Sequence, residues 1–221
     1  MANIAVRIQA LLTGRPQPFR EDGTLSAFAR RPVHGPVMLG PDGFAGDEVA
    51  DRVHHGGPDK AVHLYPHDHY GYWRTQLGDH KLLAAPGAFG ENISTSGFVE
   101  SAVRIGDIFR MGQALVQVSH GRKPCWKIDH RFGVSGAQSI MTRIVQTGRC
   151  GLYFRVLEPG PVAAGEMLKL IEAGPSQWTV DRVFRLLIGG GHKSEPEAVE
   201  ALSRLPQLAE AWRSRAEMLA G

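Results

Sequence analysis

The chain has 221 residues, and 25 Lys and Arg against 22 Asp and Glu give a formal net charge of +3. So small an excess does not mark a nucleic-acid-binding protein, because such proteins gather basic residues on one face or in runs. Two cysteines exclude a four-thiolate metal site and a disulfide framework. No apolar run reaches the roughly 20 residues of a membrane helix. With no recognisable secretory signal and few cysteines, we expect a cytoplasmic protein without a membrane partner.

Short strands dominate the prediction for the first three quarters of the chain. Alternating apolar side chains predict strands at 3–12, 61–65, 114–118, 152–156 and 168–171. Pro66 is predicted to open a helix, a position that tolerates proline. A second helix is predicted at 137–146, and 103–110 is interpreted as two strands about a turn. Many short strands with few helices favour a closed or nearly closed β-barrel, so the fold class is mainly β with α.

The tail has a helical pattern instead. Thr179 is a candidate cap for a first helix, Pro196 lies in the first turn of a second, and Pro206 precedes a third. Three short helices bury little surface alone, so we expect them to pack on each other and on the barrel. We therefore predict a β-barrel domain over residues 1–172 and a three-helix segment over residues 176–221.

The first candidate site lies just before the predicted strand at 61–65. Gly56 and Gly57 beside His55 allow close backbone approach to a ligand, and their N–H groups suit an anion. Lys60 adds a cation and Asp59 a hydrogen-bond acceptor. A tight turn explains the two glycines alone, but the polar neighbours favour a site.

The second candidate is Cys125, which follows a predicted strand. Arg122, Lys123 and Lys127 lie within three residues of it, and positive neighbours favour the thiolate, which is a nucleophile and a ligand for soft metals. The alternative is a small buried apolar residue, the usual role of a lone cysteine. The three cations argue against that role for Cys125, whereas Cys150 lacks such surroundings and is assigned it.

The third candidate is the pair Glu91 and Asn92, which follows Gly90. A carboxylate and an amide on a constrained turn can read the donor and acceptor edge of a heterocycle. Taken alone, this pattern has little specificity.

Six of the ten histidines lie between positions 54 and 80, which suggests a metal site. However, Pro66 separates His63 from His67 and His69, so no continuous helix presents a pair four residues apart. We interpret His67, His69 and His80 as solvated surface residues.

Six short strings follow one another along the chain: Gly46-Asp47, His55-Gly56-Gly57-Pro58-Asp59-Lys60-Ala61, Tyr65-Pro66, Phe89-Gly90-Glu91-Asn92, Gly106-Asp107-Ile108-Phe109 and Pro124-Cys125. Together they resemble the MOSC family, named after the C-terminal domain of molybdenum-cofactor sulfurase, and most of all its stand-alone bacterial branch of the YiiM type. The resemblance extends to the helical tail. It implies a MOSC-type β-barrel with a C-terminal three-helix segment. It also implies that the protein binds a pterin-based molybdenum cofactor.

The resemblance also implies roles for the candidate residues. Cys125 matches the cysteine that ligates molybdenum through its thiolate. His55 and Asp59 are candidates for moving a proton near the metal. The candidate contacts to the pterin and phosphate of the cofactor are Gly56, Gly57, Lys60, Glu91, Asn92, Arg122 and Lys127.

The activity that the resemblance implies is reduction of N-hydroxylated compounds, such as base analogues of the hydroxylaminopurine type, by removal of oxygen. The chain has no G-x-G-x-x-G fingerprint for a flavin or dinucleotide, so electrons are expected from a separate protein such as a flavoprotein reductase. Two alternatives stay open. One is a carrier of the cofactor or its sulfur without turnover; the other is a transferase or hydrolase with Cys125 as nucleophile and His55 as base.

Overall fold

The computed structural model describes residues 4–50 and 56–221, and these residues form 13 strands and six helices. The strands are β1 (Ala5–Thr13), β2 (Gln17–Pro18), β3 (Leu25–Ser26), β4 (Arg31–Pro32), β5 (Val37–Gly40), β6 (Gly43–Phe44), β7 (Val62–Pro66), β8 (Ile93–Thr95), β9 (Ile108–Met111), β10 (Ala114–Gly121), β11 (Leu152–Glu158), β12 (Gly160–Val162) and β13 (Met167–Glu172). The helices are α1 (His69–Leu77), α2 (Trp126–Phe132), α3 (Ile140–Thr147), α4 (Val180–Leu187), α5 (Pro196–Ser203) and α6 (Glu210–Ala220).

Seven strands close into a barrel in the order β13-β9-β10-β11-β7-β8-β1, with β1 pairing back to β13. The pairing of β7 with β8 is parallel, and the other pairings around the barrel are antiparallel. Closure leaves no strand of the barrel with an unpaired edge. The predicted β-barrel is confirmed.

The interior of the barrel is filled by alternate apolar side chains of its strands. Val116, Val118 and Phe154 have no exposed surface, and Phe109 packs edge-to-face on Phe98 with 5.1 Å between ring centroids. The tail helices add their own buried side chains to the same apolar cluster. The tail therefore packs on the barrel, as its three short helices require.

The tail helices begin where their capping residues predict. The Thr179 hydroxyl accepts a hydrogen bond from the Arg182 N–H at 3.2 Å and caps α4, and Pro196 is the first residue of α5. In the described part of the chain, no helix is both long and apolar enough to cross a membrane.

Two local predictions are wrong. Pro66 does not open a helix, because it is the last residue of β7, where a missing N–H is tolerated, and α1 begins at His69. Of the two strands predicted at 103–110, the second is β9, whereas the first is reduced to an isolated bridge between Arg104 and Thr179. The helix predicted at 137–146 is present as α3, which begins after the Ser139 cap.

Candidate active site

A pocket rich in basic side chains, which we call the cationic pocket, lies where the turn before β7 meets the segment after β10. Its described basic residues are Arg30, Lys60, Arg122, Lys123 and Lys127, and they outnumber its described acidic residues, Asp42, Asp47 and Glu48. The predicted site residues that line it are Gly56, Gly57, Lys60, Asn92, Arg122, Cys125 and Lys127. The fold thus brings together three sequence segments that are up to 71 residues apart, counting from position 56 to position 127.

Cys125 lines this pocket. It is the residue directly before α2, in an extended conformation, and its side chain makes no capping hydrogen bond. The residue is half-buried. Cys150, in contrast, is fully buried, and its thiol donates a hydrogen bond to the Gly151 carbonyl at 3.1 Å. Burial raises the pKa of this thiol well above the usual value. Cys125 therefore offers its sulfur to a ligand, whereas Cys150 is part of the core.

Arg122 brings a buried positive charge to the pocket. The residue is 7% exposed, its guanidinium donates to the Phe89 carbonyl at 3.0 Å, and it lies 5.0 Å from the centre of the Phe28 ring. Within residues 4–50 and 56–221, no carboxylate pairs with it. Burying an unpaired charge is costly, so this geometry favours an anion in the pocket.

Asn92 is held in place by an ion pair that also lines the pocket. Arg30 donates two hydrogen bonds to the Asp47 carboxylate, from Nε at 2.9 Å and from Nη2 at 2.8 Å. Asn92 Nδ2 donates to the same carboxylate at 2.8 Å, and all three residues line the pocket. The Oδ1 of Asn92 accepts from the His63 N–H at 3.1 Å. No sequence pattern points to Arg30, and Asp47 is marked only by the string Gly46-Asp47.

His63 is a further lining residue that the sequence did not identify. Its Nδ1 lies 3.2 Å from the Gly90 carbonyl, which only accepts, so the ring proton is on Nδ1. Burial, followed by the charge of Arg122, lowers the pKa of His63 well below its usual value, so the ring is neutral. Nε2 is a buried acceptor with no partner among the described residues.

Glu91 does not line the cationic pocket, which corrects its predicted role in reading a heterocycle. Its carboxylate is fully buried and accepts hydrogen bonds from the N–H of Gly87 at 2.7 Å, the N–H of Phe89 at 3.0 Å and the hydroxyl of Tyr70 at 2.6 Å. A buried carboxylate needs such donors, and the turn before β8 supplies them. Glu91 therefore holds the turn that carries Asn92.

Asp59 does not line the pocket either, so its predicted role in moving a proton near the metal is withdrawn. Its Oδ1 accepts from Arg155 Nε at 2.8 Å, and its Oδ2 accepts from the N–H of Glu210 at 3.2 Å, the first residue of α6. Asp59 thus fastens the last helix to the barrel. His55, the other candidate for this role, lies outside the described residues.

The clustered histidines occupy separate environments. His69 is buried, with Nε2 at 2.7 Å from Glu100 Oε2, so its interpretation as a surface residue is wrong. His67 is half-buried and stacks on Tyr70 with 4.4 Å between ring centroids. His63 faces the cationic pocket instead. These three rings therefore do not converge on one metal ion.

Known proteins share this architecture. The family model described as MOSC domain matches residues 51–169. Protein YiiM of Escherichia coli is 40% identical over 192 residues, covering 81% of this chain and 84% of that protein. A reductase of Gibberella moniliformis is 37% identical over 163 residues, which are 73% of this chain but 28% of that longer protein.

A solved structure agrees with these relatives. The crystal structure of YiiM from Geobacillus stearothermophilus superposes with a TM-score of 0.81 and 29% identity, covering 98% of this chain and all of that one. The barrel, the tail and the matched motifs therefore have one explanation, which is common descent. The chain belongs to the MOSC domain family.

Proposed function

We propose that the protein is a molybdenum-cofactor-dependent reductase that removes oxygen from N-hydroxylated compounds, including base analogues of the hydroxylaminopurine type. The observation that carries this proposal is the half-buried Cys125 in the lining of a pocket whose five described basic side chains outnumber its three described carboxylates. A soft thiolate suits molybdenum, and the cations suit the phosphate of its cofactor. The similarity to a fungal protein named reductase supports a redox role.

The lining of the cationic pocket fits the cofactor. The Cys125 sulfur would ligate the metal, and the buried guanidinium of Arg122 would pair with the phosphate. The acceptor on His63 would take an N–H of the pterin edge. Asn92 would shape the wall beside it, because both of its N–H groups already donate to Leu12 and Asp47. Gly57, whose φ is 99°, lets the backbone come close to the ligand. When bound, the cofactor supplies the two-electron redox chemistry that the side chains themselves lack.

The proposed reaction breaks one N–O bond. An N-hydroxylated amine takes up two electrons and two protons and yields the amine and water. Lys60, Lys123 and Tyr153 line the pocket and carry exchangeable protons for this step. The electrons come from a separate protein, such as a flavoprotein reductase. The basic residues serve an anionic cofactor in this proposal, so nucleic acid is not a partner.

The test is a comparison of Cys125→Ser with Cys150→Ser, both made in a host that synthesises the cofactor. Molybdenum and pterin are measured per folded protein, and consumption of 6-N-hydroxylaminopurine is followed with reduced methyl viologen as the electron donor. We expect Cys125→Ser to lose the metal and the activity, while Cys150→Ser retains both.

Three results would overturn the proposal in different ways. If metal-loaded protein consumes no N-hydroxylated compound with any donor, the protein is not a reductase. If that protein also transfers its cofactor to an apoenzyme, it is a carrier. Activity that persists after complete removal of the metal would point to Cys125 as a nucleophile instead. Full molybdenum content in Cys125→Ser would refute the ligand assignment.

A further inference from the structure

A second cavity, which we call the tail groove, lies between the segment after β10 and helix α6. Its lining from the barrel side is Lys60, His120, Lys123, Pro124, Cys125, Trp126, Lys127 and Tyr153, and its lining from the tail is Ile188, Ala211, Trp212, Ser214, Arg215 and Met218. The two cavities share the lining residues Lys60, Lys123, Cys125, Lys127 and Tyr153. Cys125 therefore lies where the two cavities meet.

Tyr153 marks the boundary between the two cavities. Its ring centroid is 5.0 Å from that of His63, which lines the cationic pocket, and 5.1 Å from that of His120, which lines the tail groove. Each cavity thus has its own buried histidine on one side of a shared tyrosine.

The walls of the tail groove are aromatic and apolar. Trp212 stacks on His120 with 5.3 Å between ring centroids and 25° between the planes. Two further apolar lining residues keep much of their surface exposed, Trp126 at 45% and Met218 at 73%. Flat aromatic walls with unburied apolar surface favour a planar ring as the ligand.

His120 gives the groove a hydrogen-bond acceptor. Its Nδ1 lies 2.7 Å from the Gly121 carbonyl, so the ring proton is on Nδ1 and Nε2 is the acceptor. Nε2 is buried and has no partner among the described residues, although the residue is only 2% exposed. Burial lowers the pKa of His120 to about 4, so the ring is neutral near pH 7. A buried acceptor without a donor calls for a ligand N–H.

The charges around the groove select against a cationic ligand. Lys60, Lys123, Lys127 and Arg215 line it, and no Asp or Glu does so within the described ranges. The positive potential of these side chains repels a protonated amine but not a neutral or partly anionic heterocycle.

We propose that the tail groove is the substrate site, that it takes a planar nitrogen heteroaromatic ring of purine size, and that His120 Nε2 accepts a ring or exocyclic N–H of that ring. This inference rests on the proposed function and adds to it that cofactor and substrate approach Cys125 from different cavities. His120 is then the residue that orients the base, with the N–OH group directed toward Cys125.

The first experiment fills the groove from its outer wall. Ser214 is exposed and lines the groove, whereas Glu217 is exposed on the same helix and does not. Binding of 6-N-hydroxylaminopurine to the purified protein is measured by calorimetry for Ser214→Trp and for the control Glu217→Trp. We expect Ser214→Trp to raise Kd at least tenfold at unchanged molybdenum content, whereas Glu217→Trp leaves Kd within twofold of wild type.

The second experiment separates the acceptor from the shape of His120. His120→Phe keeps a ring against Trp212 but loses the acceptor, whereas His120→Gln keeps an acceptor oxygen. We expect base binding to fall at least tenfold in His120→Phe and to stay within about threefold in His120→Gln, at equal molybdenum content.

The outcomes separate this inference from the proposed function. Unchanged base binding in Ser214→Trp, or equal loss in both tryptophan variants, overturns the groove as the substrate site even if the enzyme reduces the base. Loss of binding in Ser214→Trp alone, in a protein that consumes no N-hydroxylated compound, supports the groove and overturns the reductase instead.

Discussion

The hydroxyl of Tyr70 donates a hydrogen bond of 2.6 Å to Oε1 of Glu91, and both residues are fully buried. Burial, followed by the charge of Glu91, raises the pKa of Tyr70, so the hydroxyl stays protonated and remains a donor. This bond ties helix α1 to the turn before β8. Asn92, the next residue, is thereby placed in the cationic pocket.

Glu91→Gln tests this anchor. The amide presents an NH₂ group where three donors now converge, so we expect the free energy of unfolding to fall by about 2–3 kcal/mol. Urea denaturation measures the change. Glu158→Gln is the control, because its ion pair with Arg110 is exposed and its loss changes stability by about 0.5 kcal/mol or less. Equal effects of the two substitutions would contradict the anchoring role.

Asp47→Asn tests the ion pair behind Asn92. Arg30 and Asp47 are largely buried, with side chains 14% and 7% exposed, and removing one charge leaves the other without its partner. We expect a loss of about 3 kcal/mol in unfolding free energy, measured by urea denaturation. Glu48→Gln, one residue further, breaks only an exposed contact with Arg15 and should cost about 0.5 kcal/mol or less. A loss confined to Glu48→Gln would refute this reading.

Arg122→Gln tests the buried cation of the cationic pocket. We expect cofactor per folded protein to fall by roughly tenfold, because a charge-assisted hydrogen bond to the phosphate is lost. Arg131→Gln is a matched control, since Arg131 also lies over Phe28, at 5.3 Å, but donates to backbone carbonyls and does not line the pocket. The prediction fails if cofactor content falls equally in both variants.

Alkylation distinguishes the two cysteines directly. In protein stripped of its cofactor, iodoacetamide should modify Cys125 at least about tenfold faster than Cys150, because Cys150 is buried and its thiol keeps its proton. Peptide mass spectrometry gives the two rates. Loading with cofactor should then protect Cys125. Equal rates on the two thiols, or an unprotected Cys125 in loaded protein, would count against its place as the ligand.

The buried His120 predicts a loss of stability in mild acid. Its pKa is lowered to about 4 by burial, whereas in the unfolded chain it titrates near 6.5. As the pH falls from 6.5 to 4, His120 binds a proton in the unfolded chain but stays neutral in the folded protein. The unfolding free energy therefore falls in this window, by on the order of 3 kcal/mol from this residue.

Unfolding by urea at a series of pH values measures this effect. His120→Gln should show a shallower decline between pH 6.5 and pH 4 than wild type. His63, which burial also keeps neutral, contributes in the same direction to both proteins. Parallel pH profiles for the two proteins would show that His120 does not titrate as the structure requires.

The barrel and the tail were predictable because local patterns encode them. Alternation of apolar side chains identified β10, β11 and β13, and the capping residues Thr179 and Pro196 marked the tail helices. Helix α2 was not predicted, since its seven residues give too short a pattern. The register that closes β1 on β13 depends on residues at least 160 positions apart, as in the pair Ala5 and Lys169.

The candidate site was predictable where charge and sulfur lie close in sequence, as around Cys125. It was not predictable where a partner lies far along the chain. Asp59 looked like a site residue, but Arg155, 96 positions away, takes its carboxylate. Glu91 and Asn92 are neighbours, yet the turn sends one side chain inward and the other to the pocket. The ring of His63 is oriented by a hydrogen bond to the Gly90 carbonyl, and no local sequence pattern predicts a contact between these two residues.

The last helix, α6, is held against the barrel by hydrogen bonds from backbone N–H groups and contributes residues to the tail groove but not to the cationic pocket. The N–H groups of Glu210 and Ala209 bond to Asp59 and Ser119, which holds α6 against the barrel beside Cys125. The outer wall of the tail groove therefore comes from a different stretch of sequence than the cationic pocket. If the tail groove is the substrate site, changes at exposed wall positions such as Ser214 would alter substrate recognition and leave the residues that line only the cationic pocket unchanged. Substrate preference could then diverge among relatives with this fold while that pocket is conserved.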